Sequence, residues 1–157
     1  MYKLLSMSLM SVLIAFAPAT ELSNSIGNVK ELSGYQLRDK AISIHDYNLW
    51  VIANEETFDK VFVAQYDSVA RPAFEKELVV AAKVETWNNV YKVKFKSIIV
   101  KEESLNVYFS IQRDKNAMLG IGAPVYISVF PKSSTVKKVN FYHDNVLVRT
   151  VPIVSVY

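Results

Sequence analysis

From Val90 onward the chain alternates apolar and polar residues, the period of a β-strand with one buried face. Tyr91, Val93 and Phe95 point one way, and Lys92, Lys94 and Lys96 the other. The phase breaks at Ser97-Ile98-Ile99-Val100, which marks a bulge or the strand's passage into the core. A polar turn at Lys101 to Ser104 leads to a second alternating strand, with Leu105, Val107, Phe109 and Ile111 on one face, so the two strands make a hairpin. Leu78-Val79-Val80-Ala81-Ala82 is continuously apolar and reads as a strand buried on both faces. Val125, Ile127 and Val129 define a further strand that Pro131 ends. The last hairpin centres on Asp144-Asn145, residues that tolerate the left-handed conformation of a tight turn. A regular two-residue loop there sets Phe141 opposite Val148 and Val139 opposite Thr150.

One stretch has the helical period instead. Asn48 to Ala53 reads as a strand anchored by Trp50, and Asn54 then offers an N-cap oxygen. Glu55 and Glu56 put negative charge on the first turn, where the helix dipole favours it. Phe58, Val61 and Phe62 share one helical face, predicting a helix from about Glu55 to Gln65. Residues Thr20 to Ser33 are polar and form a leader strand or loose lead-in, and Arg113 to Gly122 form a loop. The expected fold is therefore α+β and mainly β: an antiparallel sheet curling into a sandwich or half-barrel, with one short helix. Residues 20–47 form the lead-in and 48–157 a single β-rich domain.

The first residues alter the compartment assigned to this domain. Lys3 precedes an apolar run from Leu4 to Phe16, and Ala17-Pro18-Ala19 supplies the small residues of a cleavage site. The run of about thirteen residues is short of the roughly 20 that a spanning helix requires. Residues 1–19 are thus expected to be a signal peptide, with export to the periplasm or cell exterior and no membrane anchor after cleavage. Removing 19 of the 157 residues leaves 138, enough to bury roughly two-thirds of the unfolded surface in one core. The chain has no cysteine, which excludes disulfides, thiolate metal sites and cysteine nucleophiles. Loss of Lys3 turns 18 basic against 15 acidic residues into 17 against 15, too even a balance for a nucleic-acid footprint.

The candidate chemistry is sparse. His45-Asp46 and His143-Asp144 are adjacent pairs, and adjacent strand residues point to opposite faces, so neither pair chelates an ion by itself. No serine sits in a nucleophile elbow, and Glu55, Glu56, Glu102 and Glu103 read as a helix first turn and a solvated hairpin turn. No enzyme activity, cofactor or metal is expected. Lys92, Lys94 and Lys96 form either the solvated face of a sheet or a stripe that meets an acidic partner or membrane head groups. Trp87, Tyr91, Tyr108, Tyr126 and Tyr142 are the aromatics that would line a binding face, against the alternative of ordinary half-buried strand positions.

The order of these parts resembles the PrcB-like C-terminal domain family. The matching residues are Trp50-Val51-Ile52, Phe58 in its helix, Phe74-Glu75-Lys76-Glu77-Leu78-Val79-Val80, Tyr91-Lys92-Val93-Lys94-Phe95, Leu105 to Ile111, and the run from Val125 onward. The family's glycine-rich turn stands here as Thr86-Trp87-Asn88-Asn89-Val90-Tyr91, with asparagines where glycines would be and Asn the next-best residue for positive φ. The resemblance implies an exported, non-enzymatic protein-binding module that stabilises or regulates an extracytoplasmic protease of subtilisin type. It also makes Trp87, Asn88, Asn89 and Tyr91 the expected binding turn. The alternatives are a glycan- or small-ligand-binding domain using the Tyr/Trp face, and a structural subunit of a surface assembly.

Overall fold

A computed structural model describes residues 24–25, 29–38, 47–86, 89–113, 115 and 124–153, so the expected leader over residues 1–19 lies outside the described residues. In chain order the elements are β1 (Asn24–Ser25), β2 (Lys30–Leu32), β3 (Tyr35–Leu37), β4 (Tyr47–Ile52), α1 (Glu55–Val61), β5 (Phe62–Ala64) and β6 (Glu77–Thr86). There follow β7 (Asn89–Lys101), β8 (Ser104–Arg113), β9 (Tyr126–Pro131), β10 (Lys138–His143) and β11 (Val146–Pro152). The fold is the mainly β class with one short helix that the alternation implies, and its sheet does not close into a barrel.

Nine strands among the described residues hydrogen-bond in one continuous network that turns a corner where β6 hands over to β7. On one side of the corner β7, β8, β10 and β11 lie in that order, with β1 on the far edge of β7; we call this the front sheet. On the other side β4, β6, β9 and β2 form the back sheet. One pairing differs from the antiparallel expectation: β10 runs parallel to β8, with Tyr142 beside Tyr108. After β8 the chain crosses to the back sheet as β9 and returns as β10, and a strand that returns from another layer can lie parallel to its neighbour.

Two cores follow from the two faces of the back sheet. Leu78, Val80 and Ala82 of β6 face Val93, Phe95, Ile98, Val107, Phe109, Val139 and Phe141 of the front sheet. Val79 and Ala81 face the opposite way, toward Leu32, Tyr35, Phe58 and Phe62. The run from Leu78 to Ala82 is apolar throughout because both faces are covered, and every one of its five residues is buried.

The helix is shorter than its hydrophobic period suggests. Asn54 Oδ1 accepts from the Thr57 amide at 2.8 Å, as a cap should. The helix nevertheless ends at Val61 rather than near Gln65, because Phe62 turns extended and β5 pairs with β3. Phe62 stays buried, so its burial is common to both conformations and does not discriminate between them. The ladder to Tyr35–Leu37, framed by Gln65 N to Gly34 O at 2.8 Å and Arg38 N to Val61 O at 2.9 Å, supplies non-local bonds that decide it.

Two bulges rephase the front sheet. In β7 the register shifts between Phe95 and Ser97, so inward positions change from Val93 and Phe95 to Ile98 and Val100. In the last hairpin Asp144 and Asn145 both take positive φ (45° and 71°), as expected of the turn. The regular register does not persist: Phe141 pairs with Arg149 and Val139 with Val151, the shift falling between Phe141 and Tyr142. The extra residue lets Val148, Val151 and Ile153 all pack on the inter-sheet core, which strict alternation would forbid.

Candidate functional site

The outward positions of the front sheet form the surface with the most to offer a partner. On β7 these are Lys92, Lys94, Lys96, Ser97, Ile99 and Lys101, alternating with the buried or half-buried Val93, Phe95, Ile98 and Val100. On β8 they are Tyr108, Ser110 and Gln112, with Ser104 and Asn106 facing the same way but buried (9% and 7% exposed), and on β10 Lys138, Asn140 and Tyr142. Five of these fourteen positions are lysine, and none is aspartate or glutamate. The lysine stripe read from β7 alone is therefore part of a wider basic face, which Lys101 and Lys138 complete on either side of Ser104.

The centre of that face is aromatic and amide-rich. Tyr108 and Tyr142 stack with centroids 4.8 Å apart and planes 16° from parallel. The parallel register puts Asn106 beside Asn140, whose Nδ2 donates to Asn106 Oδ1 at 2.9 Å, while Thr150 Oγ1 donates to Asn140 Oδ1 at 2.9 Å. These bonds satisfy amides that would otherwise desolvate at a cost, and they hold the tyrosine pair's neighbours in one arrangement. Leu147, 51% exposed, pairs with Tyr142 on the next strand and extends the apolar centre.

The acidic groups sit at the rims. Lys96 Nζ donates to Asp144 Oδ1 at 3.0 Å, and that hydrogen bond holds the Asp144 carboxyl below its ordinary range. At the opposite end Glu103 pairs with Lys137, on the β7–β8 turn. Neither carboxylate reaches the lysines at Lys94 or Lys138 in any ion pair among the described residues.

His143 has a structural role. Its ring stacks on Phe109 at 5.5 Å, and its Nδ1 shares a 2.7 Å hydrogen bond with Tyr47 Oη, tying β4 of the back sheet to β10 of the front. Its Nε2 lies 3.2 Å from Asp144 Oδ2 without a hydrogen bond to it. Among the described residues no three His, Cys, Asp or Glu side chains gather as a metal site. His45 and Asp46 lie outside the described residues.

A second feature is a cavity of about 420 Å³ where the two sheets part, floored by Leu78, Val100, Leu105 and Val136. Lys132 at its rim donates to Ala53 O at 3.2 Å and Phe74 O at 3.1 Å, so that ammonium is largely committed to backbone carbonyls.

Of the turn singled out from the sequence, Trp87 and Asn88 lie outside the described residues. Asn89 begins β7, paired with Thr86. Tyr91 is half-buried and packs against the inter-sheet core, as does Tyr126. The five aromatics thus do not share one face: Tyr108 and Tyr142 point out, while Tyr91 and Tyr126 point in. The sequence carries a sign of this, because Tyr108 and Tyr142 fall in the polar phase of their strands, between Val107 and Phe109 and between Phe141 and His143. Their stacking depends on the parallel β8–β10 pairing, which alternation cannot announce.

No family model, curated protein or solved structure matches the chain. The fold and surface together define a β-rich protein whose central sheet is covered on both faces and whose front sheet has a basic, aromatic-centred outer face.

Proposed function

We propose that the protein is a non-enzymatic exported module that acts by contact, binding a protein partner through the outer face of the front sheet. The observation that carries this reading is the charge pattern: five lysines and no carboxylate on the outward positions of three neighbouring strands, grouped around a tyrosine stack. A solvated sheet face usually mixes both signs, and a single-sign face steers and holds the opposite charge. Tyrosine at the centre supplies contact area at low entropic cost. The resemblance to the PrcB-like C-terminal domain makes an extracytoplasmic subtilisin-type protease the first partner to try.

The test is a comparative capture from native envelope or culture fluid, using the protein and its Lys94→Glu/Lys138→Glu double variant. A partner retained by the first and lost by the second is expected. The proposal is sunk if both capture the same material and the protein leaves the activity and lifetime of a subtilisin-type protease unchanged. The hydroxyl-bearing stack beside Asn106, Asn140 and Thr150 favours a second reading, an anionic glycan as ligand.

A further inference from the structure

We infer that the outer face of the front sheet recognises an extended acidic segment of a protein partner in which a ring-bearing residue lies between two acidic clusters. This rests on the reading of that face as the working surface and adds the pattern the partner must carry. The register fixes the spacing of the cations. Lys94 pairs with Ser110 and Lys101 with Ser104, and Ser104 also neighbours Lys138. Ser110 and Ser104 are six residues apart on β8, or about 20 Å at roughly 3.3 Å per residue. The face therefore has a basic end at Lys92 and Lys94, a second basic end at Lys101 and Lys138, and Tyr108, Tyr142, Asn106 and Asn140 between them.

The middle is unlike the ends. Each tyrosine gives one ring face to its partner in the stack, and because the rings stack across neighbouring strands the other face of Tyr108 is turned toward β7, where its register neighbour is Ser97. Ser97 is small and exposed, so the register sets a small side chain beside the face of Tyr108 on which a planar or pyrrolidine ring would stack. Asn140 already donates to Asn106 and accepts from Thr150, which makes the middle a poor site for a further charge. A chain laid along the strands meets cation, ring and cation in turn. About six extended residues between the acidic clusters would match the spacing.

Fluorescence anisotropy with labelled peptides of about ten residues tests this. One peptide carries glutamates at both ends and a central tyrosine, the second has alanine at the centre, and a uronic-acid oligosaccharide serves as third probe. The ring-centred peptide should bind the unmodified protein about fivefold or more tightly than the alanine peptide. Lys94→Glu and Lys138→Glu, at opposite ends, should each weaken it about three- to tenfold, and raised salt should weaken it further. Tyr108→Ala, checked for folding by circular dichroism, should erase the preference for the ring. Equal binding of both peptides, salt-sensitive and lost on charge reversal, overturns the inference and leaves the working surface standing. Absence of any charge-dependent peptide binding at low salt overturns the surface itself. Tighter binding of the uronate than of either peptide overturns the inference in favour of a glycan.

Discussion

Replacing Phe58 with alanine should lower the stability of the whole protein in one cooperative step, although the residue sits in the smaller of the two cores. Phe58 is fully buried on the short helix α1 and meets Tyr35 at 5.0 Å, Phe62 at 5.1 Å and Phe74 at 5.5 Å. Phenylalanine-to-alanine changes in cores cost about 3–5 kcal/mol, a figure that already contains the lost ring contacts. Against a total of about 5–15 kcal/mol for a typical domain, that is a large share. The loss should spread because β6 is common to both cores: Val79 and Ala81 line one, Leu78 and Val80 the other. With a urea m-value of about 2 kcal/mol per molar, the midpoint should fall by about 1.5–2.5 M. Far-ultraviolet circular dichroism reports the sheets, and fluorescence of Trp50, 6.2 Å from Phe62, reports the second core. The two probes should give coincident transitions. A midpoint shift under about 0.5 M, or fluorescence unfolding well ahead of the dichroism, would refute the argument that one strand couples both cores.

Gly34 takes φ of 84°, and a Cβ there would sit 2.8 Å from Val69 Cγ2, so Gly34→Ala should cost about 1–3 kcal/mol, read as a lowered urea midpoint, whereas a neutral result would contradict the left-handed backbone. The carboxyls of Asp144 and Glu56 are both held below their ordinary range, by hydrogen bonds from Lys96 and Lys60 respectively. Depressed carboxylates contribute stability that is present above the unfolded value near 4 and lost as pH falls through the folded value, so the melting temperature should drop below about pH 4. Both groups are exposed, so the effect should be modest, and Asp144→Asn, which tolerates the same turn conformation, should remove part of that acid dependence in a series of melts.

How much was legible depended on whether the determining interaction was local. The alternation of Tyr91 to Lys96, the inward face of Leu105 to Phe109, the cap at Asn54 and the turn at Asp144-Asn145 all depend on neighbours within a few positions, and the structure has each of them. The broken phase at Ser97 announced a bulge because a strand that must bury both Phe95 and Ile98 cannot keep a period of two. The outward direction of Lys92, Lys94 and Lys96 was equally plain.

What chain-local pattern could not settle was every choice between competing partners. Phe62 is buried in a helix or in a strand, and only the approach of Tyr35–Leu37 selected the strand. The last hairpin kept its turn but not its register, because burying Val148, Val151 and Ile153 together outweighed regular pairing. The basic face follows the same rule. The sequence by itself determined a β-rich chain with one short helix, its strand faces and a lysine stripe, because side-chain period and turn chemistry are local. Only the tertiary structure put Lys101 and Lys138 beside that stripe and stacked Tyr108 on Tyr142, because the parallel pairing of β8 with β10 is made by a chain that leaves the layer and comes back.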